Sequence, residues 1–410
     1  MRILQVHNRY LSGLGGEDTV VRLEAELLRD HGHNVLQHIV STSELKDASA
    51  LRLLQCGVSS VWSRNSYESV ANAVKAFQPE VVHVHNTFPL LSPSVYYAAR
   101  RNGACVVQTL HNYRIACANG LLFRNGSPCE DCVGRAKWRG LLHRCYHNST
   151  GISAAAVAIQ TSHRIVGTFC HEVDAYIALT AFQRDIVIRD GLPAEKIYIK
   201  PNFTPTAVST NIESERKAQM AFVGEICTEK GVDLVLSAWT KSRPSGYRLL
   251  LFGHGPALEE MQQQYAGDNS VVWRGFQPRE VVVQELAASK YIVVGSRWYE
   301  TFGMVLIEAF SVGTPAIVPD HAAFPEMMEQ GRCGFLYEPS NVQSLVHAFC
   351  LALSVGESKW REQSDAALRR SCDYGSNENY IRLMEIYEAA RTHYSGTQEY
   401  RHHLSTRNGE

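Results

Sequence analysis

A strand–turn–helix alternation runs along the 410 residues of this chain and constrains its fold more than any other feature. Short apolar, β-rich runs recur about every 20 to 30 residues, which is the length of a βα unit. Such runs, separated by helical patterns, predict parallel sheets covered by helices on both faces. The predicted strands are Ile3–His7, Asn34–Val40, Val81–His85, Ala104–Leu110, Tyr176–Thr180, Lys196–Lys200, Met220–Val223, Arg248–Phe252, Val271–Trp273, Tyr291–Val294, Pro315–Val318 and Gly334–Tyr337.

The alternation stops at one polar stretch and then starts again, which predicts two α/β domains. Thr204–Lys217 is rich in Thr, Ser, Asn and charged residues, and we interpret it as a linker. The first domain is then expected over residues 1–203 and the second over residues 218–375, followed by a helix and a polar tail over residues 376–410. Two consecutive α/β sheets predict a cleft between the domains, where small-molecule sites usually lie.

Composition excludes several classes of protein. Hydrophobic residues make up 45% of the chain and charged residues 20%, which excludes disorder and a coiled coil for most of it. Lys and Arg total 40 against 41 Asp and Glu, so no global field recruits nucleic acid. The longest apolar stretch, Ile152–Ile159, is far shorter than the roughly 20 residues that span a bilayer, and no signal-peptide pattern precedes it. We therefore expect a cytoplasmic protein whose cysteines are mostly reduced.

A predicted helix start in the segment 295–315 is suited to an anion. A strand is predicted to end just before this segment, and Gly303 then opens a helix. Backbone N–H groups at a helix start have no intrahelical partner, so the amides near Phe302, Gly303 and Met304 could hold a phosphate.

Two glutamates flank this predicted phosphate seat. Glu300 lies in the loop before the helix and Glu308 in its second turn. A carboxylate accepts two hydrogen bonds from a vicinal diol, so Glu308 could hold a ribose and Glu300 the hydroxyls of a sugar. The pattern indicates a nucleotide-sugar pocket, and the alternative is a surface helix with two solvated glutamates.

The spacing of these glutamates also resembles a known family. Glu300 and Glu308 form the E-x7-E motif of the retaining glycosyltransferases of family 4, the group 1 enzymes, which have the GT-B fold. The flanking Gly313-Thr314-Pro315 and the turn over residues 222–234 are similar to the same family, and the resemblance covers nearly all of residues 1–390. It implies two Rossmann-like, doubly wound parallel-sheet domains that face a cleft.

The resemblance implies roles for individual residues. Lys230 would face the donor diphosphate, Glu308 would hold the ribose, and Glu300 would orient hydroxyls of the sugar. Gly16 resembles the glycine turn that the family places near the donor phosphates. His111, at the end of a predicted strand, resembles the family's histidine near the donor sugar and is our candidate for the active-site histidine. The alternative for His111 is a structural or metal-bound histidine.

One position departs from the family pattern. The family usually carries an Arg directly after the glycine of this turn, and here Glu225 follows Gly224. A carboxylate would repel a diphosphate by about 4 kcal/mol per charge pair at about 4 Å and an effective dielectric constant of roughly 20. Either Glu225 points away from the phosphates or another cation, for which Arg297 is the candidate, substitutes.

The resemblance implies a retaining transferase that moves a sugar from a nucleoside diphosphate sugar to a glycan or lipid-linked acceptor in polysaccharide biosynthesis. The family does not generally need a metal for the diphosphate, so no catalytic cofactor is expected. The alternatives are a sugar epimerase or phosphorylase on the same fold, and a nucleotide-binding module without catalysis. A dinucleotide dehydrogenase is disfavoured, because no G-x-G-x-x-G follows the first strand with an acid about 20 residues later.

Four cysteines lie in a polar, turn-rich insert over residues 112–150. One C-x2-C pair with two further thiolates would suit a structural, tetrahedral Zn²⁺ in a loop that is poor in apolar residues. The alternatives are buried free thiols or a redox pair within the C-x2-C. The candidate ligands are Cys117, Cys129, Cys132 and Cys145.

Residues 133–171 contain no Asp or Glu, which predicts a basic face. A basic, amphipathic face favours an anionic surface, and the expected partner is the inner face of a membrane that carries a lipid-linked acceptor. The alternative is a helix that covers the sheet and has a solvated basic edge. The cations are Arg135, Lys137, Arg139, Arg144 and Arg164.

Overall fold

The computed structural model describes residues 1–9, 16–45, 56–57, 59–205, 216–242 and 245–407. The chain forms two compact units. The first comprises Met1–Leu121, Glu130–Pro201 and Asn379–Glu410, and the second comprises Leu122–Cys129 and Asn202–Glu378. Most of the predicted linker Thr204–Lys217 lies outside the described residues.

Every strand predicted from the sequence is present. The structure also contains a short two-stranded hairpin, β5 and β6, that was not predicted. The strands are β1 (Arg2–Arg9), β2 (Asn34–Ser41), β3 (Val81–Asn86), β4 (Cys105–Thr109), β5 (Phe123–Arg124), β6 (Ser127–Pro128), β7 (Ala175–Ala178), β8 (Ile197–Ile199), β9 (Gln219–Val223), β10 (Arg248–Phe252), β11 (Val271–Gly275), β12 (Tyr291–Val293), β13 (Ala316–Pro319) and β14 (Gly334–Tyr337).

Helices follow most of these strands, as the alternation predicts. They are α1 (Gly16–Asp30), α2 (Arg64–Phe77), α3 (Ser94–Arg101), α4 (Trp138–Leu142), α5 (Thr150–Ile165), α6 (Thr168–His171), α7 (Ala181–Arg189), α8 (Val232–Ser242), α9 (Leu258–Gln264), α10 (Arg279–Ala288), α11 (Met304–Phe310), α12 (Phe324–Met327), α13 (Val342–Ser354), α14 (Glu357–Cys372) and α15 (Ser376–Arg407), with 3₁₀ turns at Thr42–Leu45 and Ala194–Lys196.

The sheet of the first unit has the strand order β2-β1-β3-β4-β7-β8, and its paired strands are parallel. All residues of β3, β4 and β7 are buried, because successive side chains enter hydrophobic cores on opposite faces of the sheet. Val82 and Val84 lie in one core, and Val81 lies in the other. The C-terminal helix α15 supplies Leu383 and Tyr387 to the second core, so the end of the chain covers the sheet that begins it.

The sheet of the second unit has the order β11-β10-β9-β12-β13-β14, and it is also parallel. Numbered within the unit, this is the 3-2-1-4-5-6 order of dinucleotide-binding sheets. Trp239 and Phe349 are fully buried in its core, with ring centroids 5.6 Å apart at an interplanar angle of 87°. Both sheets therefore match the predicted doubly wound class.

Each sheet has a point at which the direction of winding reverses. In the first unit this point lies between β1 and β3, and in the second it lies between β9 and β12. Ligands of open α/β sheets bind beyond the carboxyl ends of the strands at such points. A ligand is therefore expected beyond the carboxyl ends of β1 and β3 in the first unit and of β9 and β12 in the second.

Within the described residues, no helix is both long enough and apolar enough to cross a membrane.

Replacing Leu383 by Ala tests the packing of α15 on the first sheet. Leu383 is fully buried, so we expect the free energy of unfolding to fall by about 2–5 kcal/mol through the lost contacts and the cavity. Ile381→Ala, at an exposed position of the same helix, should change it by less than about 0.5 kcal/mol. Urea unfolding followed by circular dichroism measures both, and equal small losses would contradict the packing.

Candidate functional site

Two loops of the second unit approach each other closely at a pair of glycines. Gly231, after β9, has a φ of +64°, and a Cβ atom added to it would lie 2.0 Å from the carbonyl oxygen of Gly295, which follows β12. A Cβ atom on Gly295 would in turn lie 2.5 Å from the carbonyl oxygen of Gly231. Only glycine permits this approach, and it brings Lys230, next to Gly231, to the loop that carries Glu300.

Three donors converge on one oxygen of the Glu300 carboxylate. Lys230 Nζ lies 2.5 Å from Glu300 Oε1, Ser296 Oγ lies 2.8 Å from it, and Trp298 Nε1 lies 3.0 Å from it. Lys230 Nζ also lies 5.2 Å from the centroid of the Trp298 ring. The carboxylate is thus buried, ionically paired and held in one orientation. The structure brings two of the residues predicted for the donor site, Lys230 and Glu300, into direct contact.

Glu308 has a cationic partner that the sequence did not reveal. Arg279, the first residue of α10, places Nε 2.5 Å from Glu308 Oε1 and Nη2 2.5 Å from Thr204 Oγ1. Glu308 lies on α11, which begins at Met304 after Gly303 as the N-cap residue. No sequence pattern pairs α10 with α11, so only the fold identifies Arg279 as the partner of Glu308.

The position that departs from the family pattern is exposed. Glu225 lies at the surface of the loop after β9. The substitute cation suggested for it, Arg297, is already engaged, because its two terminal nitrogens lie 2.8 and 2.7 Å from the two carboxylate oxygens of Asp233. The charge of Arg297 is therefore already paired with that of Asp233. Lys230 is therefore the cation best placed to meet an anion beyond β9.

His111 lies beyond the carboxyl end of β4, in the first unit, and lines a cavity of about 70 Å³. His85 and Asn112 line the same cavity. Burial lowers the pKa of the His111 imidazole to about 3, so the ring is neutral at physiological pH. The predicted site histidine is therefore a neutral hydrogen-bonding group in a small cavity whose lining is largely apolar.

A carboxylate beneath this cavity was not predicted. Glu24, on the buried face of α1, has Oε1 2.9 Å from His83 Nδ1 and Oε2 3.2 Å from Lys200 Nζ. Burial alone would raise the pKa of this carboxyl, but His83 and Lys200 hold it well below its usual range. The only signal in the sequence was a glutamate among the apolar positions of an amphipathic helix.

Gly16, the last residue of the predicted glycine turn, is described by the structure and begins α1. Residues 10–15, which include the rest of that turn, lie outside the described residues. Two acids follow in the first turn of α1, and Asp18 Oδ1 lies 2.7 Å from Nε2 of His7 at the end of β1. Burial, with Asp18 nearby, raises the pKa of Glu17 to about 8.

Among the residues that the structure describes, Glu24, His83 and His85 form the only group of three or more His, Cys, Asp or Glu side chains with ligand atoms within 4.8 Å of one another. Lys200 already neutralises Glu24, which disfavours a second cation at this place. The four cysteines proposed to bind zinc are absent from that grouping, and zinc binding by Cys117, Cys129, Cys132 and Cys145 stays a prediction.

The basic stretch over residues 133–171 is partly neutralised by an acid from outside it. Lys137 Nζ lies 2.5 Å from Oδ1 of Asp190, and Arg164 pairs with the other oxygen of the same carboxylate. Asp190 follows α7, so the absence of acids within the stretch did not reveal this pairing. The predicted basic face is therefore smaller than the sequence suggested.

Two family models match this chain over most of its length. The model described as glycosyl transferases group 1 matches residues 206–367, and the model described as a glycosyl transferase 4-like domain matches residues 15–202. Among curated proteins, an exopolysaccharide phosphotransferase of Streptomyces coelicolor is 28% identical over 52% of this chain. A lipopolysaccharide 1,6-galactosyltransferase of Salmonella typhimurium is 26% identical over 46% of it. The matched segments span only 22% and 54% of those two relatives.

Solved structures match nearly the whole chain. The lipopolysaccharide outer core galactosyltransferase WaaB, in its apo form, has a TM-score of 0.64 at 18% identity and covers 94% of this chain and 99% of its own. The Anabaena protein HepE, solved in complex with UDP, has a TM-score of 0.65 at 16% identity and covers 95% of this chain and 100% of its own. These likenesses show the GT-B fold.

Proposed function

Because the chain belongs to the group 1 glycosyltransferases, we propose that it moves a sugar from a nucleoside diphosphate sugar to a glycan or lipid-linked acceptor, with retention of the anomeric configuration. The observation that carries the proposal is the fixed Lys230–Glu300 pair beyond β9 and β12. A cation and an oriented carboxylate at the switch point of a dinucleotide-type sheet suit a diphosphate and a sugar. Relatives that make polysaccharide and lipopolysaccharide support polysaccharide biosynthesis as the setting.

The proposed chemistry is stabilisation of the departing diphosphate. As the bond from the anomeric carbon to the phosphate oxygen breaks, negative charge grows on the phosphate, and the ammonium group of Lys230 meets it. We propose that backbone amides also donate hydrogen bonds to the phosphates. These are the amides near Phe302, Gly303 and Met304 and the amide of Gly16.

The sugar and the nucleoside are assigned to other groups. In this proposal Glu308, held by Arg279, binds the ribose hydroxyls, and Glu300 orients hydroxyls of the transferred sugar. His111 contacts the reacting sugar. No metal ion is needed for these roles, and none of them requires a protein nucleophile.

Two other functions remain as alternatives. An epimerase or phosphorylase on the same fold would use the same donor groups but would need no separate glycan or lipid acceptor. A non-catalytic module would bind the nucleotide without turnover, and the exposed Glu225 in place of an arginine is the feature that favours it. Analysis of the products formed from each donor sugar separates the three.

Substituting Lys230 by Met tests the role of its charge. We expect kcat to fall by about 100-fold or more, with KM for the donor changed only a few-fold, since the ammonium group acts chiefly on charge that develops during bond cleavage. Initial rates with UDP-, GDP- and ADP-sugars and a glycan acceptor measure this. Lys241→Met, at an exposed position of the same unit, is the matched control and should be neutral. A rise in KM at unchanged kcat would contradict this role.

We further propose a peripheral contact with an anionic membrane surface through α4. Trp138 and Leu142 on this helix are exposed by 55% and 62%, although both are large and apolar. Arg135 and Arg144, which flank the helix, are also exposed, and Arg139 lies between the apolar pair. Exposed aromatic and aliphatic side chains among arginines are typical of a surface that binds anionic lipid headgroups.

Charge reversal of Arg135, Arg139 and Arg144 to Glu tests this contact. Each basic residue near an anionic surface contributes about 1 kcal/mol, so we expect binding to phosphatidylserine-containing vesicles to weaken by about 100-fold or more. Phe276→Ser, at an exposed apolar position of the second unit, is the control and should bind as the wild type does. Co-sedimentation that is unaffected by the reversal would exclude the membrane surface and leave a solvated basic edge.

A further inference from the structure

Two buried polar atoms of the first unit face each other across a gap. His7 Nδ1, near the end of β1, and Glu17 Oε1, in the first turn of α1, lie 3.8 Å apart, which is too far for a hydrogen bond. Neither atom has a hydrogen-bond partner within the part of the chain that the structure describes, although both atoms are buried and the His7 side chain is only 1% exposed. A buried polar atom without a partner costs free energy, and it indicates a bound group or a functional role.

The protonation of the His7 ring is set by the second acid of α1. Asp18 Oδ1 lies 2.7 Å from His7 Nε2, and Arg9 Nε lies 3.8 Å from the same oxygen. An ionised carboxylate accepts hydrogen bonds and donates none. In the neutral imidazole Nε2 therefore carries the proton and donates it to Asp18. Nδ1, the nitrogen across the gap from Glu17, is then bare and can only accept a hydrogen bond.

Glu17 supplies the opposite kind of group. Burial, with a smaller contribution from the Asp18 carboxylate, raises the pKa of Glu17 to about 8, although the Arg114 guanidinium acts against the shift. Most Glu17 carboxyl groups are therefore protonated near neutral pH. A protonated carboxyl group donates one O–H hydrogen bond. The gap thus has an acceptor on the His7 side and a donor on the Glu17 side.

One hydroxyl group matches both sides of this gap. A hydroxyl oxygen about 2.8 Å from both atoms would bridge them, because they are 3.8 Å apart. The hydroxyl would donate its own proton to His7 Nδ1 and accept the proton of Glu17. An anionic group would bring no proton for Nδ1 and would lie close to the Asp18 carboxylate. The chemistry of the gap therefore favours an uncharged polyol such as a sugar.

The place of the gap in the fold favours the acceptor over the donor. It lies at the carboxyl end of β1, one of the two strands between which the winding of the first sheet reverses. The rings of His7 and His85 meet edge to face at a centroid distance of 6.2 Å, and His85 lines the cavity of the first unit. The side chains proposed to hold the nucleoside and the diphosphate, Glu308 and Lys230, belong to the second unit.

We propose that His7 and Glu17 bind one hydroxyl group of the acceptor, between His7 Nδ1 and Glu17 Oε1, and that Asp18 is the positioning residue that orients the His7 ring. The proposal rests on the proposed function, which supplies an acceptor that carries sugar hydroxyls. It gives that function a contact with the acceptor, whereas Glu300 and His111 were assigned to the donor sugar.

The first test is the protonation of the His7 ring in the wild-type protein near neutral pH. Long-range ¹H–¹⁵N spectra of ¹⁵N-histidine-labelled protein distinguish a protonated from a bare nitrogen. His7→Gln, or His7→Asn if the first variant does not fold, identifies the His7 signals among those of the 17 histidines. We expect a proton on Nε2 and a bare Nδ1. A proton on Nδ1 would overturn the proposal.

The second test is the binding of simple sugars without any donor. The probes are the methyl glycosides of glucose, galactose and mannose, and saturation-transfer difference spectra of each sugar measure its affinity. We expect at least one of them to bind, with an affinity that falls about tenfold or more in His7→Gln, which keeps an amide for Asp18 but lacks Nδ1, and in Glu17→Leu, because each leaves one side of the hydroxyl unmatched.

Two variants control this test. Glu17→Gln keeps a donor at the same place and should bind within about twofold of the wild type, and Glu26→Leu, at an exposed position of the same helix, should not change the affinity. Circular dichroism checks that each variant is folded, and His7→Gln decides if Glu17→Leu is not. No binding of any probe, or equal affinity in the wild type, His7→Gln and Glu17→Leu, would leave only a structural water in the gap and overturn the proposal.

The pH dependence tests the donor role of Glu17. Above about pH 8 the ionised carboxylate can only accept, so one hydroxyl proton cannot satisfy both Glu17 and His7. We expect the affinity to be lost as pH rises through about 8 in the wild type and to be kept in Glu17→Gln. The charged groups around the pair are Asp18, Arg9 and Arg114, whose side-chain types do not ordinarily titrate near this pH. Wild-type affinity that is constant over this range would overturn the proposal.

These measurements are independent of the proposed transfer reaction, because none of them uses a donor sugar. A wild-type protein that binds a glycoside as described but transfers no sugar from any donor would refute the proposed function and leave the hydroxyl site in place. A protein that transfers sugar but binds the glycosides equally well in every variant would overturn the hydroxyl site alone.

Discussion

The close backbone contact between Gly231 and Gly295 is the constraint on which the candidate donor site depends. Each glycine lies where a Cβ atom would collide with the other's carbonyl group. This contact fixes the distance between the loops after β9 and β12. The side chains of Lys230 and Glu300, which these loops carry, therefore lie within hydrogen-bonding distance of each other. The strand order then places both loops at the switch point of a parallel sheet, where backbone geometry and charge can act on one ligand.

The first unit contains a polar cluster within an apolar core. Glu24 and Lys200 form a buried ion pair, and such pairs usually add little net stability compared with apolar packing. Removing one partner, in contrast, leaves a costly unpaired charge. The pair is therefore better explained by orientation than by stability, since Glu24 Oε1 lies 2.9 Å from Nδ1 of His83, two residues before the cavity-lining His85. The C-terminal helix closes this arrangement with Tyr387.

Local pattern predicted the fold almost completely, whereas it predicted only part of the site. The strands were visible because a strand buried on both faces is an uninterrupted apolar run. Glu300, Glu308 and Lys230 were visible because they lie in short motifs. Arg279 and Asp190 were not, since each reaches its partner across the fold from a separate helix or helix end.

The same limit explains two further differences. Glu24 was not predicted, because its partners His83 and Lys200 lie far from it in the sequence. The helix over residues 376–407 looked like a separate tail, because nothing in its sequence states that it covers the first sheet. Contacts between residues that are distant in the sequence have no local signature, and such contacts determine which charged groups are neutralised.

The most direct test of the central claim is a thermal-shift panel with UDP, GDP, ADP and NAD on the wild type, Glu308→Ala and the exposed control Glu280→Ala. At about 100 times its dissociation constant, a bound nucleotide should stabilise the protein by about 2.7 kcal/mol. We predict stabilisation by one nucleoside diphosphate, lost in Glu308→Ala and kept in Glu280→Ala. No stabilisation by any of the four, or equal stabilisation in both variants, would contradict a nucleotide-sugar site in the second unit.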